Sequence, residues 1–270
     1  MADLATINAP IGVFDSGVGG LSVLQALKAR LPNEHFIYVA DSGYAPYGDQ
    51  STEFIERRAT EVAHFLVRLQ AKAMVIACNT ASVNVAANLR KVLRIPVVAM
   101  EPAIKPASLA TKSKVVLVLA TTGTLRSQSV VQLCKTHGDG VRIILQPCSG
   151  LADQVERGDF CSAATRRLLH MYIRPGIAEG ADTIVLGCTH YAFLAGEIAS
   201  IAGPSVRLVE PSEAIARQLA RVIVSPDVLS SPKVPETKFY TSGSTTQMST
   251  FLTSIGEPFE QVLALPLGEA

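Results

Sequence analysis

Short apolar runs alternate along this chain with stretches whose apolar residues recur every three or four positions. The runs at 11–14 (IGVF), 36–40 (FIYVA), 73–77 (AMVIA), 97–99 (VVA), 115–120 (VVLVLA), 142–145 (RIIL), 183–187 (TIVLG), 206–209 (VRLV) and 238–241 (KFYT) have strand length. Between them, STEFIERRATEVAHFLVRLQ places Ile55, Ala59, Val62, Leu66 and Leu69 on one face of a 3.6-residue period, which predicts an amphipathic helix. Continuous apolar strands separated by helices predict mainly parallel sheets covered on both sides, an α/β fold.

The pattern repeats. VIACNTAS leads after a helical stretch to IPVVAMEPAIKPA, and IVLGCTHYA leads in the same way to VRLVEPSEAIARQLA. Cys78 precedes Glu101 by 23 residues, and Cys188 precedes Glu210 by 22. Upstream, VFDSGVGG and VLATTGT each run from an apolar strand into a loop rich in hydroxyls and glycine, with Asp15 63 residues before Cys78 and Thr121 67 before Cys188. This predicts two similar α/β domains, one from 1–100 plus 211–270 and the other from 101–210. The Glu-Pro pairs at 101–102 and 210–211 mark the crossings, and the chain rejoins the first domain by way of SPDVLSSPKVPE (225–236).

Composition narrows the class. Hydrophobic residues make up 48% and charged residues 17% of 270, and the formal net charge is +1, with no basic run of the kind a nucleic-acid surface needs. No apolar run approaches the ~20 residues that span a bilayer. The first twelve residues carry no Lys or Arg, so a signal peptide's basic start is not expected. Five cysteines, an odd number with no CxxC spacing, fit neither a disulfide framework nor a structural zinc site. Free thiols in a reducing compartment, the cytoplasm, are expected.

Cys78 and Cys188 each close an apolar strand and are followed at once by polar side chains. In open parallel sheets ligands bind beyond the carboxyl ends of the strands, so two facing halves would bring both thiols to one cleft. A helix starting after each cysteine would place its free N–H groups beside the sulfur, acidifying the thiol and attracting carboxylates. Acid–base groups on opposite faces of one carbon suit removal of a proton from one side and delivery from the other, which inverts a stereocentre. Asp15 would serve one thiol and His190 the other, while Ser16, Asn79, Thr80, Thr121, Thr124 and Thr189 offer neutral hydrogen-bonding groups to an amino-acid substrate. Cys134, Cys148 and Cys161 lack this setting and read as packing; His35, His64, His137 and His170 have no role.

Two rival readings meet opposing residues. Gly17-x-Gly19 after a strand, with Asp41 22 residues beyond Gly19, imitates a dinucleotide fingerprint, but Ser22 takes its third position and Asp15 would repel a pyrophosphate. A pyridoxal racemase needs a Schiff-base lysine, and none lies in the loops 15–20, 41–48, 78–82, 120–126 or 187–191. Neither cofactor nor metal is expected.

The ordered motifs FDSGVGG, DSGYAPYG, ACNTAS, ATTGT and GCTHY, spanning Ile11 to about Gly243, resemble those of the glutamate racemases. The resemblance implies two pseudo-two-fold-related α/β domains with the active site between them. It also implies cofactor-free interconversion of L- and D-glutamate for peptidoglycan. By motif match Cys78 would act on D-glutamate and Cys188 on L-glutamate. Substrate contacts would fall on Asp15, Ser16, Tyr47, Gly48, Asn79, Thr80, Thr121, Thr124, Thr189 and His190. Glu156 of CSGLADQVERG matches a further family carboxylate. The family forms homodimers in more than one arrangement. An aspartate or other amino-acid racemase is the alternative of the same fold; a regulatory protein, such as an inhibitor of DNA gyrase, is the alternative of another class.

Overall fold

The computed structural model describes residues 8–223 and 234–266. Most of the segment expected to return the chain to the first domain, 225–233, therefore lies outside the described residues, as do residues 1–7. In chain order the first elements are β1 (Ile11–Asp15), α1 (Leu21–Arg30), β2 (Phe36–Ala40), α2 (Thr52–Arg68), β3 (Ala73–Ile76), α3 (Asn79–Val92) and β4 (Val97–Ala99). Next come α4 (Ile104–Ala110), β5 (Val115–Ala120), α5 (Thr122–Arg126), α6 (Gln128–His137), β6 (Arg142–Pro147), α7 (Leu151–Glu156), α8 (Ala163–Ala178) and β7 (Thr183–Leu186). The rest are α9 (Ala195–Ala202), β8 (Arg207–Val209), α10 (Ser212–Val222), β9 (Thr237–Thr241), α11 (Thr245–Ser254) and β10 (Val262–Ala264).

The strands form two sheets, ordered β10-β9-β2-β1-β3-β4 and β6-β5-β7-β8, and every pairing is parallel. Strand order therefore recurs: β2-β1-β3-β4 in the first sheet matches β6-β5-β7-β8 in the second. The central strands β1, β3 and β7 are buried at every residue, as continuous apolar runs require when helices cover both faces. Burying each of their large aliphatic side chains is worth about 1.5–3 kcal/mol. The edge strand β6 is half-exposed.

Helix α2 behaves as its period predicts. Ser51 caps it by accepting the Phe54 N–H at 3.2 Å, Ile55, Ala59, Val62 and Leu66 are buried, and Leu69 ends it half-buried. Helix α10, although it follows the second sheet's last strand, packs on α1. One apolar cluster joins α1 and α10 to Val13 and Val75 of the first sheet and Leu117 and Ile184 of the second. Among the described residues no helix is long and apolar enough to cross a membrane.

In each sheet the chain steps from its first strand to one side and then returns to the other. The order thus reverses between β1 and β3 and again between β5 and β7. Such reversal points open a crevice at the strands' carboxyl ends. Asp15 and Cys78 stand at the first, Thr121 and Cys188 at the second.

Candidate active site

Cys78 leaves β3 in extended conformation and caps α3, its Sγ accepting the Ala81 N–H at 3.4 Å. Ser16 Oγ lies 3.5 Å from the same sulfur and donates to Asp15 Oδ1 at 3.0 Å. Ser16 has one proton to give, so the hydrogen between it and Cys78 belongs to the thiol. A directed chain results, from Cys78 through Ser16 to Asp15. Burial raises the Asp15 pKa, with the charge of His190 and the hydrogen bond from Thr189 acting the other way.

The thiol of Cys78 is not acidified as its helix-capping position predicts. Burial first, and then the charge of Asp15, push its pKa well up, outweighing its contacts with the Ser16 hydroxyl and the Ala81 N–H, which act the other way. Cys188 adds a smaller contribution in the same direction.

At the second reversal point a short 3-10 helix (Thr189–Leu194), rather than an α-helix, follows Cys188 and runs into α9. Cys188 Sγ is 3.6 Å from His190 Nδ1, and His190 Nε2 is 2.6 Å from Glu156 Oε1. Glu156 Oε1 also accepts the Val18 N–H at 2.8 Å. An ionised carboxylate only accepts, so the Nε2 proton of His190 is fixed on Glu156 and Nδ1 faces the sulfur. Burial works to lower the His190 pKa, but its contacts with Cys188 and Glu156 prevail and hold it well above the ordinary imidazole value.

The two groups interlock. Thr189 Oγ1 donates to Asp15 Oδ2 at 2.9 Å, and Gly17 and Gly19 lie directly against the second half. A Cβ on Gly17 would stand 1.8 Å from Glu156 Oε1, and one on Gly19 2.4 Å from His190 Nδ1. These glycines admit protein side chains where a dinucleotide fingerprint would admit a pyrophosphate. Asp41, the carboxylate that reading needs for a ribose, is buried on Arg58.

Beside Cys78, Thr80 Oγ1 lies 2.9 Å from Thr121 Oγ1 and 3.1 Å from Thr124 Oγ1. Thr121 also caps α5 through the Thr124 N–H at 3.2 Å. The side-chain amide of Asn79 is buried with neither its oxygen nor its nitrogen hydrogen-bonded. A buried amide left so is unfavourable until something pairs with it. Tyr47 is buried and its hydroxyl donates to Asp41 Oδ2 at 2.6 Å, while Gly48 abuts Thr121.

Asp15, Ser16, Cys78, Cys188, Thr189, His190 and Glu156 thus form one linked group, with Asn79, Thr80, Thr121 and Thr124 adjoining and Tyr47 and Gly48 at its flank. The thiols are enclosed, at 5% and 8% exposure. A cavity of about 630 Å³ opens alongside, reaching Val18 and Glu156 but neither cysteine.

Some features escaped the sequence. Cys148, read as packing without a strand-end setting, sits at the carboxyl end of β6 and is buried, because the strand runs on through Pro147. Cys161 is exposed rather than packed. Arg58 is wholly buried despite its charge; the signal was its place beside Ala59 on the apolar stripe of α2.

Residues 11–219 match the Asp/Glu/hydantoin racemase family. A glutamate racemase of Methylococcus capsulatus is 48% identical over 97% of both chains, and one of Ectopseudomonas mendocina 47% identical over 90% of this chain and 93% of its own. The crystal structure of Escherichia coli glutamate racemase, in complex with L-glutamate and the activator UDP-MurNAc-Ala, superposes with a TM-score of 0.85. It is 31% identical and covers 96% of this chain and 99% of its own. The chain belongs to the Asp/Glu/hydantoin racemase family, and these similar curated proteins are glutamate racemases.

Proposed function

We propose that this enzyme interconverts L- and D-glutamate through two thiols, one on each face of the α-carbon. The observation that carries this reading is that each thiol has an acid–base partner of its own: Cys78 through Ser16 to Asp15, and Cys188 to His190 backed by Glu156. Turning L-glutamate over, Cys188 takes the α-proton and His190 stabilises or relays it. Cys78, protonated at rest, delivers its hydrogen to the opposite face, and Asp15 and Ser16 return a proton to the sulfur. In the other direction the two roles exchange. No cofactor is required for either step.

The substrate's carboxylates would take the unpaired amide of Asn79, the N-terminal N–H groups of α3 and the hydroxyls of Thr80, Thr121, Thr124 and Thr189. The Tyr47 phenol is already engaged, so Tyr47 and Gly48 would contribute backbone groups. The recurring strand order supports two domains, 1–100 plus 211–270 and 101–210, meeting at this site. Supply of D-glutamate for peptidoglycan, in the cytoplasm and from a homodimer, completes the reading. Chiral chromatography tests it: pure L-glutamate without pyridoxal should reach an equal mixture of enantiomers. Aspartate converted faster than glutamate would favour the other racemase of this fold.

A further inference from the structure

Arg58 lies on α2, outside every motif so far assigned, yet its side chain is 1% exposed. Its Nε and Nη2 hold both oxygens of Asp41, at 3.0 and 2.7 Å, its Nη1 reaches Glu61 at 2.8 Å, and its guanidinium carbon lies 4.2 Å from the centre of the Tyr44 ring. Asp41 Oδ2 in turn accepts the Tyr47 hydroxyl at 2.6 Å. One cation therefore gathers residues 41, 44 and 47 of the segment that links β2 to α2, which folds as two 3-10 turns, Ser42–Tyr44 and Tyr47–Asp49.

The far end of that segment touches the site. A Cβ on Gly48 would meet the Thr121 side chain at 2.7 Å, and one on Gly123 would meet the Gly48 carbonyl oxygen at 2.9 Å. Thr121 bonds Thr80, which follows the unpaired Asn79. A buried ion pair gains little over apolar packing of similar volume, because desolvation offsets the attraction. What it supplies is a fixed direction: the guanidinium fork donates to both oxygens of a carboxylate in one geometry.

We infer that Arg58, acting through Asp41 and Tyr47, is a positioning residue that holds the Tyr47–Gly48 turn against Thr121 and so sets the substrate-binding wall. The inference rests on the racemase reading. Loss of the fork loosens the wall on which the substrate is held, while both thiols keep their acid–base partners.

The test compares wild-type enzyme with Arg58→Lys, Tyr47→Phe and the double variant, measuring KM and kcat for L-glutamate, the pH profile of kcat, and Tm. Tyr47→Phe keeps the buried ring and guards against a folding failure of Arg58→Lys. Losing a hydrogen bond to a charged group predicts KM about tenfold higher in each single variant. The kcat pH profile should not move, and the double variant should be no worse than Arg58→Lys, as members of one chain are non-additive. Unchanged KM in Tyr47→Phe, or loss of kcat with KM unchanged, overturns the inference while wild-type racemisation stands. An inactive wild type with glutamate would instead refute the underlying function.

Discussion

Thr189 Oγ1 donates to Asp15 Oδ2 at 2.9 Å across 174 residues of chain. Each residue adjoins a thiol's partner: Asp15 receives Ser16, which faces Cys78, and Thr189 lies between Cys188 and His190. This bond, together with Glu156 holding the Val18 N–H, fastens the two strand-end loops to each other. The acid–base groups are thus set by contacts between the two strand-end loops.

Cys78→Ala and Cys188→Ala should each abolish racemisation, because inversion needs a proton source on both faces. They should differ in what survives. With Cys188 alone, L-glutamate should slowly gain solvent deuterium at its α-carbon without inversion; with Cys78 alone, D-glutamate should. Chiral separation with mass detection reads both. Retained racemisation in either variant contradicts the two-thiol account, and Cys134→Ala should behave as wild type.

Ser16→Ala breaks the chain from Cys78 to Asp15 while leaving Asp15 its hydrogen bond from Thr189. General acid–base assistance contributes about 10²–10⁴-fold, so kcat/KM should fall by about a hundredfold. It should fall equally in both directions, since the enantiomers have equal free energy in solution. A loss under threefold would remove Ser16 from the proton path.

Much of this arrangement was legible because the chemistry sits where the strands end. The run VVLVLA announces β5, and Cys78 and Cys188 follow equally plain apolar segments. Three-residue β10 was missed, having too few residues to show a period. The apolar stripe of α2 places Arg58 beside its buried face, but the partner that neutralises it is not legible locally, because only the tertiary fold brings Asp41 to it. The acidity of Cys78 was misjudged for a related reason: the helix end is local and visible, whereas burial and the charge of Asp15 belong to the folded state.

Gly17→Ala should damage the enzyme through space alone. Its Cβ would collide with Glu156 Oε1, displacing the carboxylate that holds His190. Overpacking of this kind costs about 1–3 kcal/mol, several degrees of Tm for a chain of this size. Activity should fall further than stability. Gly196→Ala, on α9 with open space around it, should leave both intact. Equal behaviour of the two variants would show that the Gly17 contact is unimportant.

Stability should depend on pH through His190. Its pKa is raised in the folded state, so its contribution is fully present below the ordinary value of 6.5 and is lost as pH rises through the folded value. Asp15 is also raised, and its contribution has the same sign, but its window begins at the ordinary carboxylate value of 3.8. Between pH 6 and 9 the Tm of wild-type enzyme should therefore decline relative to His190→Asn. Parallel Tm curves would mean that His190 gains nothing from Cys188 and Glu156.

The most direct measurement is the early course of the reaction in heavy water starting from pure L-glutamate. Two thiols on opposite faces predict that the first D-glutamate formed carries one α-deuterium while the remaining L-glutamate is still protiated. Deuterium entering L-glutamate as fast as D-glutamate appears, or D-glutamate formed without α-deuterium, would contradict the account.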